Sequence, residues 1–83
     1  MIRVNYFARY RELLDCDGES LPWTPALASL RDLRGLLVSR GGPWAQALGQ
    51  ANLMCARNQE LCTLDEPLSD GDDIAFFPPV TGG

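Results

Sequence analysis

The residues best placed to do chemistry are the last two, Gly82 and Gly83. A diglycine packs nothing and loses more backbone entropy on ordering than any other pair. What it offers is a thin strip ending in a carboxylate, slim enough for a channel too narrow for any Cβ. Phe76, Phe77, Pro78, Pro79, Val80 and Thr81 stand just before it, so the strip leaves an apolar, strand-like segment. Other reactive groups are sparse. There is no histidine, the commonest general base and metal ligand. All seven cationic side chains are arginines, so lysine chemistry is closed. Neither a GxGxxG nor a Walker A sequence occurs, and no nucleotide or other cofactor is expected to bind this chain itself. Cys16, Cys55 and Cys62 are an odd number without ligand spacing, and nothing beside Cys16 activates it. Asp70, Asp72 and Asp73 resemble a hard-metal cluster, but the glutamate that completes a calcium loop is missing. We read them as a solvated turn and expect no metal. The chain is not expected to be an enzyme alone.

Length and charge limit the partners. Eighty-three residues make one small domain, able to bury roughly 60–65% of its unfolded surface. The net charge is −4 and the arginines form no stripe, which argues against nucleic acid and anionic membranes. No apolar run approaches the roughly 20 residues of a membrane span. The first residues alternate polar and apolar and lack a signal-peptide core, so a cytoplasmic protein is expected.

Eight short segments must position the tail. Ile2, Val4 and Tyr6 alternate with polar or outward residues, a strand over 2–8. Residues 9–14 make a helical turn, 15–18 a turn, and 19–23 a second strand. Thr24 and Pro25 read as a helix start, with a main helix over 25–40 that buries Leu27, Leu30, Leu33 and Leu37. Gly41 and Gly42 stop it, and 43–48 make a short helix. Strands at 53–57 and 60–64 flank Asn58-Gln59. Leu68 plugs a turn-rich loop, and 73–77 is the last strand. Pro78-Pro79 cannot continue a ladder. The order of elements lets the first and last strands lie parallel, with a helix in the crossover. This is the α+β, ubiquitin-like β-grasp arrangement: a mixed sheet of about five strands with one main helix across one face. The expected division is a domain over 1–77 and a flexible tail over 78–83.

One sheet face then lies bare. With Ile2, Val4, Ile74 and Phe76 facing the helix, Phe7 and Phe77 face away. If Asn58-Gln59 is a two-residue hairpin loop, Ala56 opposes Leu61 and Cys55 opposes Cys62. Leu53, Cys55, Cys62 and Leu64 then share the inner face, and Met54, Ala56 and Leu61 the outer one. Phe7, Leu61 and Phe77 form an uncovered apolar set beside the tail, which marks a partner site. Cys55 and Cys62 come close enough for a disulfide, but in a reducing compartment they are read as buried thiols.

Two segments carry a resemblance. The opening, with Phe7-Ala8-Arg9-Tyr10-Arg11-Glu12-Leu13, and the ending, from Phe76 to Gly83, resemble the small subunits of molybdopterin synthase. Asn58-Gln59, residues 67–72 and Ala75 keep the same register, while 15–51 matches mainly in pattern. The resemblance implies a sulfur carrier. An adenylating partner, similar to ubiquitin-activating enzymes, uses ATP to activate the Gly83 carboxylate. A sulfur donor converts the acyl-adenylate to a thiocarboxylate. The tail, with Pro79, Val80, Thr81 and Gly82 in the partner's channel, then delivers sulfur to cyclic pyranopterin monophosphate in the large subunit. Related carriers for thiamine thiazole or tRNA thiolation, and ubiquitin-like modifiers of lysines, share the fold, the tail and the adenylation.

Overall fold

Alternation in the first segment gives a strand because one of its faces has a core to enter. Strand β1 spans Ile2–Tyr6, and its Ile2, Val4 and Tyr6 are fully buried. The computed structural model describes residues 1–79; Val80, Thr81, Gly82 and Gly83 lie outside the described residues. In chain order the other elements are α1 (Arg9–Leu14), β2 (Gly18–Leu21), α2 (Leu30–Val38), α3 (Pro43–Leu48), β3 (Met54–Arg57), β4 (Glu60–Cys62) and β5 (Asp73–Phe77).

The strands form one mixed sheet in the order β2-β1-β5-β3-β4. At its centre β1 and β5 run parallel, with Val4 beside Ile74 and Tyr6 beside Phe76. A parallel pair needs a long crossover, and the intervening segment supplies it with α2 and α3. The other pairings, β1–β2, β3–β4 and β3–β5, are antiparallel. Asn58 and Gln59 both have positive φ, 50° and 71°. That is the backbone of a type I′ turn, whose twist matches that of the flanking strands. It fixes the expected register, Ala56 opposite Leu61 and Cys55 opposite Cys62.

The main helix is shorter than its pattern suggests. It was expected over 25–40 and occupies Leu30–Val38. Ser29, not Thr24, is the cap. The Asp32 N–H donates to the Ser29 hydroxyl oxygen at 3.4 Å, and the Ser29 N–H donates to an Asp32 carboxylate oxygen at 3.1 Å. This capping box satisfies two orphan donors of the first turn. Thr24 instead opens a turn, its carbonyl accepting the Leu27 N–H at 2.9 Å. Residues 28–30 are claimed by the loop before β5. Leu68 N–H donates to Ala28 O and Leu30 N–H to Glu66 O, and Ser29 bridges Pro67. Leu27 therefore enters the core from outside the helix, 7% exposed, while Leu30, Leu33 and Leu37 enter from within it.

Four strand ends also fall short of expectation. The first strand stops at Tyr6 because Ala8 turns at φ 54° to start α1. The second stops at Leu21 because Pro22 has no N–H for the ladder. In the hairpin, β3 starts at Met54 rather than Leu53, and β4 ends at Cys62, where Thr63 and Glu66 form a turn. Leu53 and Leu64 still pack against the core, half-buried. Leu68 is the expected plug, 4% exposed.

The aspartate loop needs a correction. Asp72 is not solvated: it is 7% exposed. Its carboxylate accepts from Arg57 Nε at 2.9 Å, Asn58 Nδ2 at 3.1 Å and the Ser69 N–H at 2.8 Å. Burial alone would raise its pKa. The Ser69, Asn58 and Arg57 donors outweigh that and hold it below the usual aspartate value. A depressed carboxylate stabilises the fold above its unfolded pKa, and this is lost as pH falls through the folded value. The thermal midpoint should thus be insensitive to this group from pH 7 to about 5, then fall below about pH 4. Asp72→Asn should lower the midpoint at pH 7 by roughly 5–10 °C and flatten the acid limb, measured by calorimetry across pH. An unchanged acid limb would show that Asp72 carries none of this linkage.

Candidate functional site: the open sheet face at the root of the tail

Because β1 and β5 are parallel and adjacent, both end at the same side of the domain. The Phe7 N–H donates to the Phe76 carbonyl at 3.2 Å, which extends the ladder one residue past β1. Phe7 therefore lies beside Phe77. On the other flank, Met54 is the register partner of Phe77. Phe7, Phe77 and Met54 make a row across three strands, at the point where Pro78 and Pro79 begin the tail. One row further back, Ala75 opposes Ala56 and Ala56 opposes Leu61. The two alanines form a low floor between the aromatic row and Leu61.

The helices cover only the opposite face. Ile2, Val4, Tyr6, Cys55, Ile74 and Phe76 all point into the core there. Phe7 is 47% exposed, Met54 36% and Leu61 70%. Phe77 is half-buried between its neighbours. Phe7, Met54 and Leu61 are thus exposed apolar side chains on one face of the sheet, with Phe77 between the first two.

The expected set is thus largely assembled. Phe7 and Phe77 are neighbours, whereas Leu61 stands on the edge strand, three strand spacings from β1, or about 14 Å. Met54, expected on the outer face, joins Phe7 and Phe77 in this row. Its place beside Phe77 depends on β3 pairing with β5, and nothing local in the sequence states that pairing. Pro79 is half-buried where the tail leaves. The expectations for Val80, Thr81, Gly82 and Gly83 lie outside the described residues.

Opposite the open face, the inner side is tied at one edge by Glu19. It accepts from the Tyr6 hydroxyl at 2.8 Å and from both Arg40 guanidinium nitrogens at 2.8 and 2.9 Å. The Arg40 donors, aided by Tyr6, hold the Glu19 pKa below its usual value against the cost of burial. Arg40 also lies over the Trp44 ring, 4.4 Å from its centroid, and Trp44 meets Tyr6 edge to face at 5.4 Å. These contacts lock β1, β2, α2 and α3 together behind the sheet. They lie on the side of the sheet opposite the open face.

Among the described residues no group of three or more cysteine, aspartate or glutamate side chains is placed to hold a metal ion. No helix among them is long and apolar enough to cross a membrane.

A five-stranded mixed sheet, a capped helix in the crossover and a tail leaving the central strand define an α+β, ubiquitin-like β-grasp protein. The chain belongs to the ThiS family, which its residues 4–83 match. It is 42% identical to the molybdopterin synthase sulfur carrier subunit of Escherichia coli, over 100% of both chains. Among solved structures it is similar to SAMP1 of Haloferax volcanii, with a TM-score of 0.77, 25% identity, and 99% and 98% of the two chains covered. It is also similar to a chain in the complex of subunits 1 and 2 of the molybdopterin-converting factor of Helicobacter pylori. There the TM-score is 0.68, the identity 29%, and the coverage 99% of this chain and 97% of that one.

Proposed function

We propose that this chain is the sulfur carrier subunit of a molybdopterin synthase. The observation that carries the reading is the open apolar row Phe7–Phe77–Met54, set at the root of a diglycine tail. The 42% identity over the full length of the E. coli sulfur carrier subunit supports it, as does the likeness to a chain of a two-subunit complex. The domain over 1–77 docks, and the tail over 78–83 reaches. Phe7, Phe77, Met54 and Leu61 seat on the large subunit, and Pro79, Val80, Thr81 and Gly82 occupy its channel.

The chemistry then belongs to the partners. A carboxylate is a poor electrophile until an oxygen becomes part of a leaving group. An adenylating enzyme joins the Gly83 carboxylate to AMP from ATP and releases pyrophosphate. A sulfur donor displaces AMP and leaves a thiocarboxylate, an anionic sulfur nucleophile at neutral pH. Transfer to cyclic pyranopterin monophosphate in the large subunit returns the carboxylate. A carrier of this kind needs no base, cofactor or metal of its own, which fits a chain with no histidine or lysine. The cytoplasm is the compartment this reading assigns.

The test is reconstitution. The thiocarboxylate form, mixed with the large subunit and the pterin precursor, should yield a dithiolene pterin and consume two carriers per product. No dithiolene, together with thiazole synthesis or tRNA thiolation, would move the chain to a related carrier. The likeness to SAMP1, a small archaeal modifier protein, favours one other reading, protein modification. Isopeptide adducts on other proteins without sulfur transfer would establish that one instead.

A further inference from the structure

The β3–β4 hairpin sets two thiols face to face. Cys55 and Cys62 are register partners, and their sulfurs lie 3.9 Å apart. Facing residues on antiparallel strands have Cα atoms about 4.5–5.5 Å apart. That lies inside the roughly 4.4–6.8 Å a disulfide spans. Closing the bond takes side-chain rotation, not a change of register. Access to the two sulfurs is unequal. Cys55 is 2% exposed, on the core side of β3. Cys62 is half-buried on β4, an edge strand that among the described residues pairs with β3 alone. It lines an open cavity of about 360 Å³ together with Arg57, Asn58, Glu60, Leu61 and Glu66. Cys16, the third thiol, precedes β2 at the other edge of the sheet and cannot join them.

We propose that Cys55 and Cys62 form a redox site, a dithiol that a small-molecule disulfide entering the cavity converts to a disulfide within the hairpin. The Cys62 thiolate attacks one sulfur of the small disulfide, forming a mixed disulfide and releasing one thiol. The Cys55 thiolate then attacks the Cys62 sulfur and releases the second thiol. The protein pair gives up two electrons and two protons, and the small disulfide takes both as two thiols. Burial pushes the Cys55 thiol up to about 12 and raises the Cys62 thiol as well, so both steps are slow at neutral pH. The bond pins β4, whose Leu61 precedes Cys62 and faces the open sheet. The inference stands on the hairpin alone and does not require the sulfur-carrier reading.

Oxidised glutathione is the probe. Full-length folded protein equilibrated with it should fall from three titratable thiols to one. It should lose about 2 Da and yield a Cys55–Cys62 linked peptide, all reversed by dithiothreitol. The thermal midpoint should rise by roughly 5–15 °C on oxidation. Cys16→Ser should react in the same way. Cys55→Ser should instead trap a glutathione adduct on Cys62. Cys62→Ser, altered at the half-buried edge position, should leave the Cys55 thiol unmodified. A stable glutathione adduct in the unaltered protein with no internal bridge would overturn the proposal. So would oxidation confined to Cys16, or no loss of thiols from the folded protein.

Discussion

Deleting Gly83 should reduce sulfur transfer by at least about a thousandfold and shift the thermal midpoint by less than about 1 °C. The argument is geometric. One extended residue spans about 3.4 Å, so the deletion draws the carboxylate back by that length. Reacting atoms must come within about 3–3.5 Å, and a misplacement of about 1 Å already costs roughly a hundredfold. The body of the domain cannot follow the tail inward, because Phe77 is fixed between β1 and β3 and Pro78-Pro79 stiffen the exit. Stability should hold because every residue of the core cluster precedes Phe77. The two readouts are adenylate formation with the activating enzyme and differential scanning calorimetry. A variant that is still adenylated and still transfers sulfur would remove Gly83 from the chemistry. A midpoint lowered by several degrees would make the terminus part of the fold. Gly82→Ala tests the bore of the channel separately: it keeps the length and adds one Cβ, so it should slow transfer without affecting stability.

Much of this architecture was legible because it is local. The alternation of Ile2, Val4 and Tyr6 and the leucine spacing in α2 each report a buried face through a short window of sequence. Asn58-Gln59 marks the hairpin register in the sequence, and with it the facing of Cys55, Ala56, Leu61 and Cys62. The parallel pairing of β1 and β5 followed from the order of elements. Part of what escaped is set at long range and part is local. Ser29-Leu30-Arg31-Asp32 carries the spacing of a capping box, a nearer helix start than Thr24, while residues 28–30 are also drawn into place by Glu66, Pro67 and Leu68. Pro22 was a local signal, and it ends β2 two residues before the expected boundary. Asp72 looks like one more acidic turn residue until Arg57 and Asn58 of the hairpin and Ser69 of its own loop close around it. Met54 is the functional case. Its facing is readable, but its seat beside Phe77 comes from strand order, which only the packed sheet decides.

Phe77→Asp should weaken binding to the large subunit by about a hundredfold to a thousandfold while costing the isolated domain only a few degrees of thermal midpoint. Phe77 sits in the middle of the exposed row, flanked by Phe7 and Met54, so a partner covering this face must desolvate whatever stands there. A carboxylate placed in an apolar contact loses its water without gaining a donor, a cost of about 3–4 kcal/mol on association. In the free domain the same carboxylate stays partly wet, since Phe77 is only half-buried and its side chain lies opposite the core. The adjacent residue supplies the control. Phe76 is fully buried among Tyr6, Ile74 and the helix leucines, so Phe76→Asp should unfold the domain rather than merely uncouple it. Phe7→Asp should behave like Phe77→Asp. Leu61→Asp should have a smaller effect, because that side chain stands at the edge of the sheet, 70% exposed. Isothermal titration calorimetry with the large subunit and thermal melts of each variant separate the two kinds of loss. If Phe77→Asp unfolds the domain as Phe76→Asp does, the facing is inverted and the open face is not where the partner sits. If it binds as tightly as the unaltered chain, this row is not the docking surface, and recognition must come from the tail alone.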